Sequence, residues 1–542
     1  MRAFLLYLVP VVVMAQTPPP TAGVNLSGVV RDWATGAPME RVNVNVLRGT
    51  DFNNSRNAET DVKGNYLVRD LAPGIYRVRA TAPSTAPFGA ANATKQLTIR
   101  GGDVTGFDLR VQANGEISGK VTDKNGEPVP GARVALVARE YLLGALRHVF
   151  AKTASTDDRG NYSLTDITPG KAYLLVAMQV KNRIDAISDV PVSAEFRRKL
   201  NVPTYYPGVT SRGGAEAFLL RPGERRERID IRMESASSFC LTGVFQSGLG
   251  PGPSAFRIED RQVSSGASGN GALYVGQPTG ITDNDGKFRI CELYPGDYRI
   301  YAFPYAPASR EIGAFGVVGV TVTNQDIDRV TIAASPLVTI SGEVVWDGKA
   351  PEPPISTTLN VGVDPLVHSF RSGRITRPTM PGTFTMENLV MDELVLAVNG
   401  IPDGVYVKDI VYGINSTFRK PFRPGSAMTG SGLRIVLASD GGKVQVRTTD
   451  KDGRTLGDTA VAVVPVSSAS EAELAAAMVI GRTDQSGSWI SGQLAPGKYY
   501  VFASAGLIDP TPESIGRLWS TRAKAVQAEI VNGGVQVEVK VE

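Results

Sequence analysis

Chemistry-bearing residues are scarce in this 542-residue chain. It has two cysteines, Cys240 and Cys291, and two histidines, His148 and His368. Two cysteines cannot build a four-cysteine zinc site or a multi-bridge scaffold, and two distant histidines leave little for metal or acid–base catalysis. Charge of one sign is also missing: 57 Lys and Arg against 53 Asp and Glu give a net +4, too small for this length to draw nucleic acid or an anionic membrane. The only long apolar run lies at the very start, and no Gly-x-Ser-x-Gly elbow or phosphate-cradling Gly-x4-Gly-Lys-Ser/Thr loop occurs. The chain reads as neither hydrolase nor metalloenzyme, with no cofactor expected. Gly (58) and Pro (35) are abundant, and the 42 % apolar content supports packed cores.

Residues 1–15 carry Arg2, an apolar run from Ala3 to Met14, and small residues ending at Ala15, the pattern of an export signal cleaved before Gln16. Thr17-Pro18-Pro19-Pro20 opens a proline-rich linker, 16–23, that cannot continue a helix. No second span follows, so the expected location is outside the cytoplasm: periplasm, cell surface or medium.

A recurring phrase organises the rest. Asp61-Val62-Lys63-Gly64-Asn65-Tyr66 is followed by Pro73-Gly74, and Asp157-Asp158-Arg159-Gly160-Asn161-Tyr162 by Pro169-Gly170. Asp283-Asn284-Asp285-Gly286-Lys287-Phe288 precedes Pro295-Gly296, and Asp484-Gln485-Ser486-Gly487-Ser488-Trp489 precedes Pro496-Gly497. From Gly to Pro is nine positions each time. A degenerate copy has Gly382-Thr383-Phe384, with Met391 in place of the Pro. Asp followed by Gly suits a tight turn, and the aromatic two positions later starts a strand whose alternate side chains enter a core. Tyr66, Tyr162, Phe288, Phe384 and Trp489 are therefore expected core anchors. Each copy opens with a phrase such as Ser27-Gly28-Val29-Val30 or Ser118-Gly119-Lys120-Val121, continued as Thr242-Gly243, Ser341-Gly342 and Gly442-Lys443-Val444. Five copies of about 105 residues match the ~100 residues of a seven-strand antiparallel sandwich. The expected class is all-β: tandem immunoglobulin-like or transthyretin-like sandwiches over 24–112, 113–235, 236–336, 337–439 (the degenerate copy) and 440–542.

These phrases resemble the carboxypeptidase regulatory-like domain, a transthyretin-like sandwich related to the B-type repeats of collagen adhesins. The resemblance implies fold and context, with no catalytic mechanism. Tyr205-Tyr206-Pro207-Gly208 is similar to longer variants in exported bacterial proteins.

Two insertions, Glu140 to Phe150 and Ser470 to Met478, fall at equivalent points of copies two and five. Ser470 with Glu473 forms a capping box for a short helix, and a second helix is expected from Pro512 to about Ala528. Gly266 to Gly271 has loop composition.

The remaining candidates have plain readings beside the sharper ones. Asp157, Asp158, Asp283 and Asp285 could offer oxygens to calcium, but turns use Asp for their own amides and no bidentate Glu follows at the EF-hand spacing. Cys240 and Cys291, both in copy three, are candidates for a disulfide in an exported protein or for two buried thiols. Trp33, Trp346, Tyr205, Tyr206 and Trp519 could stack on sugar rings, or simply cover the sandwich ends. Lys120 invites comparison with Lys–Asn crosslinks, without an evident partner. The expected function is a non-catalytic, exported structural or interaction module whose partners are other surface or periplasmic proteins. A carbohydrate-binding protein and an accessory subunit of a separate enzyme are the alternatives.

Overall fold

The computed structural model describes residues 23–32, 35–48, 55–82, 91–142, 144–179, 199–260, 279–304, 314–348, 350, 359–365, 374–425, 432–531 and 533–541. The expected export signal, nearly all of the expected linker, Trp33, Gly266 to Gly271 and His368 lie outside them. Among the described residues the architecture is all-β, a row of sandwiches with two short helices.

One pairing scheme recurs in five successive segments. The opening strand of each lies antiparallel to the strand after the motif glycine and parallel to a closing strand. Val24–Asp32 sits between Asn65–Leu71 and Leu109–Ala113. Gly115–Thr122 lies between Asn161–Ile167 and Ile231–Arg232, and Phe239–Gln246 between Lys287–Leu293 and Ile327–Pro336. Val338–Trp346 pairs with Gly382–Leu389 and Leu433–Ala438, and Val444–Thr449 with Ser488–Ile490 and Val535–Lys540. The opposing layer contains antiparallel strands of alternating in-and-out residues, such as Asn43–Arg48 against Gly74–Thr81. All five motif aromatics are buried in these cores: Tyr66 and Tyr162 at 4 % exposure, Phe288 at 2 %, Phe384 at 7 % and Trp489 at 8 %. Each such ring contributes about 1.5–3 kcal/mol by leaving water.

Register explains the glycine of the opening phrase. Gly28 faces Tyr66, Gly119 faces Tyr162, Gly243 faces Phe288 and Gly342 faces Phe384. A β-carbon on Gly28 would lie 2.2 Å from the Phe107 carbonyl oxygen, because the closing segment crosses directly over it. The fifth segment departs from the expected phrase. Val446, not Gly442, faces Trp489, and room for the larger indole comes from Gly481 on a neighbouring strand, where a β-carbon would meet the ring at 2.0 Å.

A β-bulge recurs six residues after the motif glycine. Asp70, Asp166, Glu292 and Asn388 all adopt φ near +60°, each where the register with the opening strand shifts. Cys240 and Cys291 join opposite strands at the third of these bulges; their sulfurs are bonded and their Cα atoms 4.0 Å apart.

The insertions behave differently. Glu140 to Phe150 forms no separate element: it lengthens a hairpin of Ala132–Leu142 against Ala145–Ser155. In the fifth segment α1 spans Glu471–Ala477, with the Ser470 hydroxyl accepting from the Glu473 amide. Helix α2 spans only Pro512–Thr521. After a 3-10 turn the chain becomes the strand Val526–Ile530, because its alternating apolar residues pair with Gly497–Ser504. Propensity extends a helix there, and the sheet edge wins. No helix among the described residues is long and apolar enough to cross a membrane.

Candidate functional site

The repeated acids and phenols of the motif are occupied in building turns. The Asp61 carboxylate accepts the amides of Lys63 and Asn65, Asp157 those of Arg159 and Asn161, Asp283 those of Asp285 and Lys287, and Asp484 those of Ser486 and Ser488. The Asn65 side chain and amide hold the Asp61 carboxyl below the usual carboxylate range, and the Asn161 amide and side chain do the same for Asp157. Gly64 closes its turn at φ +77°. Immediately before each Asp stands a buried threonine, a signal absent from the sequence reading although Thr-Asp-x-x-Gly-x-aromatic is plain in four copies. Thr156 donates to the Val129 carbonyl at 2.6 Å and accepts from the Ala132 amide at 2.8 Å. Thr60 bridges Met39 and Val42 in the same way. Thr282 and Thr483 accept from the Ser254 and Thr459 amides. The motif is thus a pin between turn and neighbouring strand.

Each turn aspartate therefore has one oxygen engaged by two amides, Asp61 and Asp157 have the second engaged by an Asn side chain, and Asp285 forms an ion pair with Lys287 at 3.7 Å. Among the described residues no three His, Cys, Asp or Glu side chains group as a metal site. His148 Nδ1 lies 3.1 Å from the Arg212 guanidinium, and burial with that cation pushes its pKa down to about 4. Lys120 faces Asn161 across the strand pair, but the Asn161 amide already donates to Asp157 at 3.1 Å.

The described aromatics proposed for sugar stacking do not converge. Tyr205 is 1 % exposed within the core and offers no face, which corrects its reading as a stacking residue: its strand pairs with Ala172–Gln179 and turns the ring inward. Tyr206 is half-buried against Phe218, ring centroids 5.0 Å apart. Trp346 packs on the core of the fourth segment. Trp519 lies on α2 with one face covered by the Arg522 guanidinium at 3.6 Å.

Two places between segments do bring groups together. In the first, the insertions of copies two and five meet. The Tyr141 amide donates to the Pro510 carbonyl at 2.6 Å, and its ring packs beside Leu474, Ile515 and Leu518 of α1 and α2. Arg139 pairs with Glu513 at 2.8 Å, and Lys171 reaches Glu140 at 2.8 Å and Asp509 at 3.8 Å. Neither insertion by itself announces the other as its partner.

The second is a cleft of about 1130 Å³ between the fourth and fifth segments. Val398, Val405 and Phe418 form one wall, and Leu494, Tyr499 and Ala477 the other. The Tyr499 hydroxyl donates to the Ala495 carbonyl at 2.7 Å, and burial raises its pKa. Of the lining charges, Asp403 is paired with Lys443 and Lys408 with Asp347. Arg419 lines both this cleft and an adjoining cavity of about 490 Å³. An apolar cleft with few fixed polar groups is the usual form of a ligand site. The sequence offered no sign of it, since its walls come from residues some ninety positions apart.

Comparison with known proteins gives a family model that matches part of the chain and a set of distant structures. The model of the carboxypeptidase regulatory-like domain matches residues 25–112 and 116–203. No curated protein matches the chain. Among solved structures, a streptococcal ancillary pilin is 13 % identical, over 58 % of this chain and 99 % of its own, with a TM-score of 0.20. The B1B2 repeats of the collagen-binding protein of Staphylococcus aureus are 14 % identical, over 72 % of this chain and 92 % of theirs, TM-score 0.14. BcpA, the major pilin subunit of Bacillus cereus, is 10 % identical, over 58 % and 99 %, TM-score 0.16.

Proposed function

We propose that this chain, which carries two copies of the carboxypeptidase regulatory-like domain, is an exported, non-catalytic interaction protein of the periplasm or cell surface. One observation supports this most: the groups repeated along the chain that might carry chemistry are committed to scaffold. The carboxylates of Asp61, Asp157, Asp283 and Asp484 hold turn amides, and the hydroxyls of Tyr66 and Tyr162 hold carbonyls. What is left for function is surface and the spaces between sandwiches. A protein partner is favoured over a polysaccharide because Tyr205 is buried and one face of Trp519 is covered.

The test is crosslinking of intact native cells, followed by fractionation and mass analysis of the chain. The expected result is a mature chain starting at Gln16, outside the cytoplasm and crosslinked to another envelope protein. A cytoplasmic chain retaining Met1 would overturn the proposal.

A further inference from the structure

We propose that the cleft between the fourth and fifth segments binds a small apolar molecule bearing one carboxylate, with Arg419 taking the carboxylate and the walls taking the apolar body.

Arg419 stands at the junction of the two cavities, lining both. Its backbone is left-handed at φ +60°, a conformation that is costly for a long side chain and found where surrounding structure imposes it. The guanidinium lies 4.6 Å over the Phe418 ring, and among the described residues no carboxylate pairs with it. Burial lowers its pKa, so a cation is held in a partly dry place with only an aromatic face to offset the lost water. Among the described residues the cleft's one lining acid, Asp403, is occupied by Lys443, and Glu473 of the adjoining cavity accepts the Ala469 amide, while Lys498 adds a second positive charge at the exposed rim. Charge complementarity therefore selects an anion. The planar guanidinium fork matches a carboxylate, and the apolar walls exclude a small hydrophilic one. Because the two walls belong to different sandwiches, an occupant would also bridge them.

The experiment titrates dodecanoate, below its micellar concentration, into the purified full chain by calorimetry, with dodecyltrimethylammonium as the opposite-charge control. Export has no bearing on this measurement, so it stands apart from the test of cellular role. The expected result is saturable one-to-one binding of dodecanoate and none of the cation. Arg419→Gly, which suits a left-handed backbone, should weaken binding by about tenfold or more, and Arg419→Lys by less. Ala477→Trp, filling the cleft from the fifth segment, should also abolish binding. Absence of saturable binding, equal binding of the cation, or undiminished affinity in Arg419→Gly would overturn the assignment.

Discussion

The hydroxyl of Tyr66 donates to the carbonyl of Phe107 at 2.6 Å, across the pleat from Gly28, whose missing side chain lets that carbonyl approach. Tyr162 repeats the bond to Ile229 at 2.6 Å. Tyrosine, glycine and closing strand thus form one unit in the first two segments. In the third and fourth, phenylalanine keeps the packing without the bond.

Tyr66→Phe should destabilise the first segment by about 1 kcal/mol, and Tyr66→Ala by about 3–5 kcal/mol through the added cavity. Gly28→Ala forces the closing strand away and should cost more than Tyr66→Phe. Hydrogen exchange resolved to residues 24–113 measures all three. Equal protection in Tyr66→Phe and wild type would show that the bond contributes nothing.

Thr156→Val is expected to destabilise the second segment by about 1–3 kcal/mol, since the Ala132 amide is left buried without an acceptor. Thr156→Ser should restore most of the loss. Urea unfolding followed by exchange within 115–237 distinguishes them.

The bond between Cys240 and Cys291 closes a separation of 51 residues, worth about 4 kcal/mol by the loop-entropy relation. Reduction, or Cys240→Ala with Cys291→Ala, should lower the thermal transition of the third segment and leave the others in place. Intact mass under non-reducing conditions should reveal no free thiol.

His148 gives the second segment a pH dependence of definite sign. Its folded pKa is held near 4 by burial and by Arg212 and Arg139, against an ordinary value of 6.5, so the unfolded chain binds the proton more readily. Stability from this group is full above pH 6.5 and falls as the pH drops towards 4. His148→Gln should flatten that slope, and an unchanged slope would refute the assignment.

Tyr141→Asp places a charge against Leu474, Ile515 and Leu518 and should separate the second segment from the fifth. Small-angle scattering should then report a larger radius of gyration. At this contact Arg139→Ala removes an exposed ion pair, worth up to about 1 kcal/mol, and should leave the radius unchanged.

The sequence by itself determined the local devices. An Asp before a glycine, an aromatic two residues on and a glycine in the opening strand suffice to specify a turn, a core anchor and a strand crossing, because each depends on residues near in the chain and on period-two alternation. The Thr before the Asp and the bulge residues Asp70, Asp166, Glu292 and Asn388 were equally written there, though they act only once a second strand lies alongside. Tertiary structure alone decided which strand runs parallel to the opener, that Val446 stands opposite Trp489, that residues 526–530 leave α2 for a sheet edge, and that Tyr205 turns inward. It alone brought the hairpin at Tyr141 to the helices at Leu474 and Leu518, and Arg419 to the wall carrying Tyr499. Those outcomes rest on apolar area and hydrogen-bonding edges offered by distant segments. No window along the chain contains both halves of such a contact.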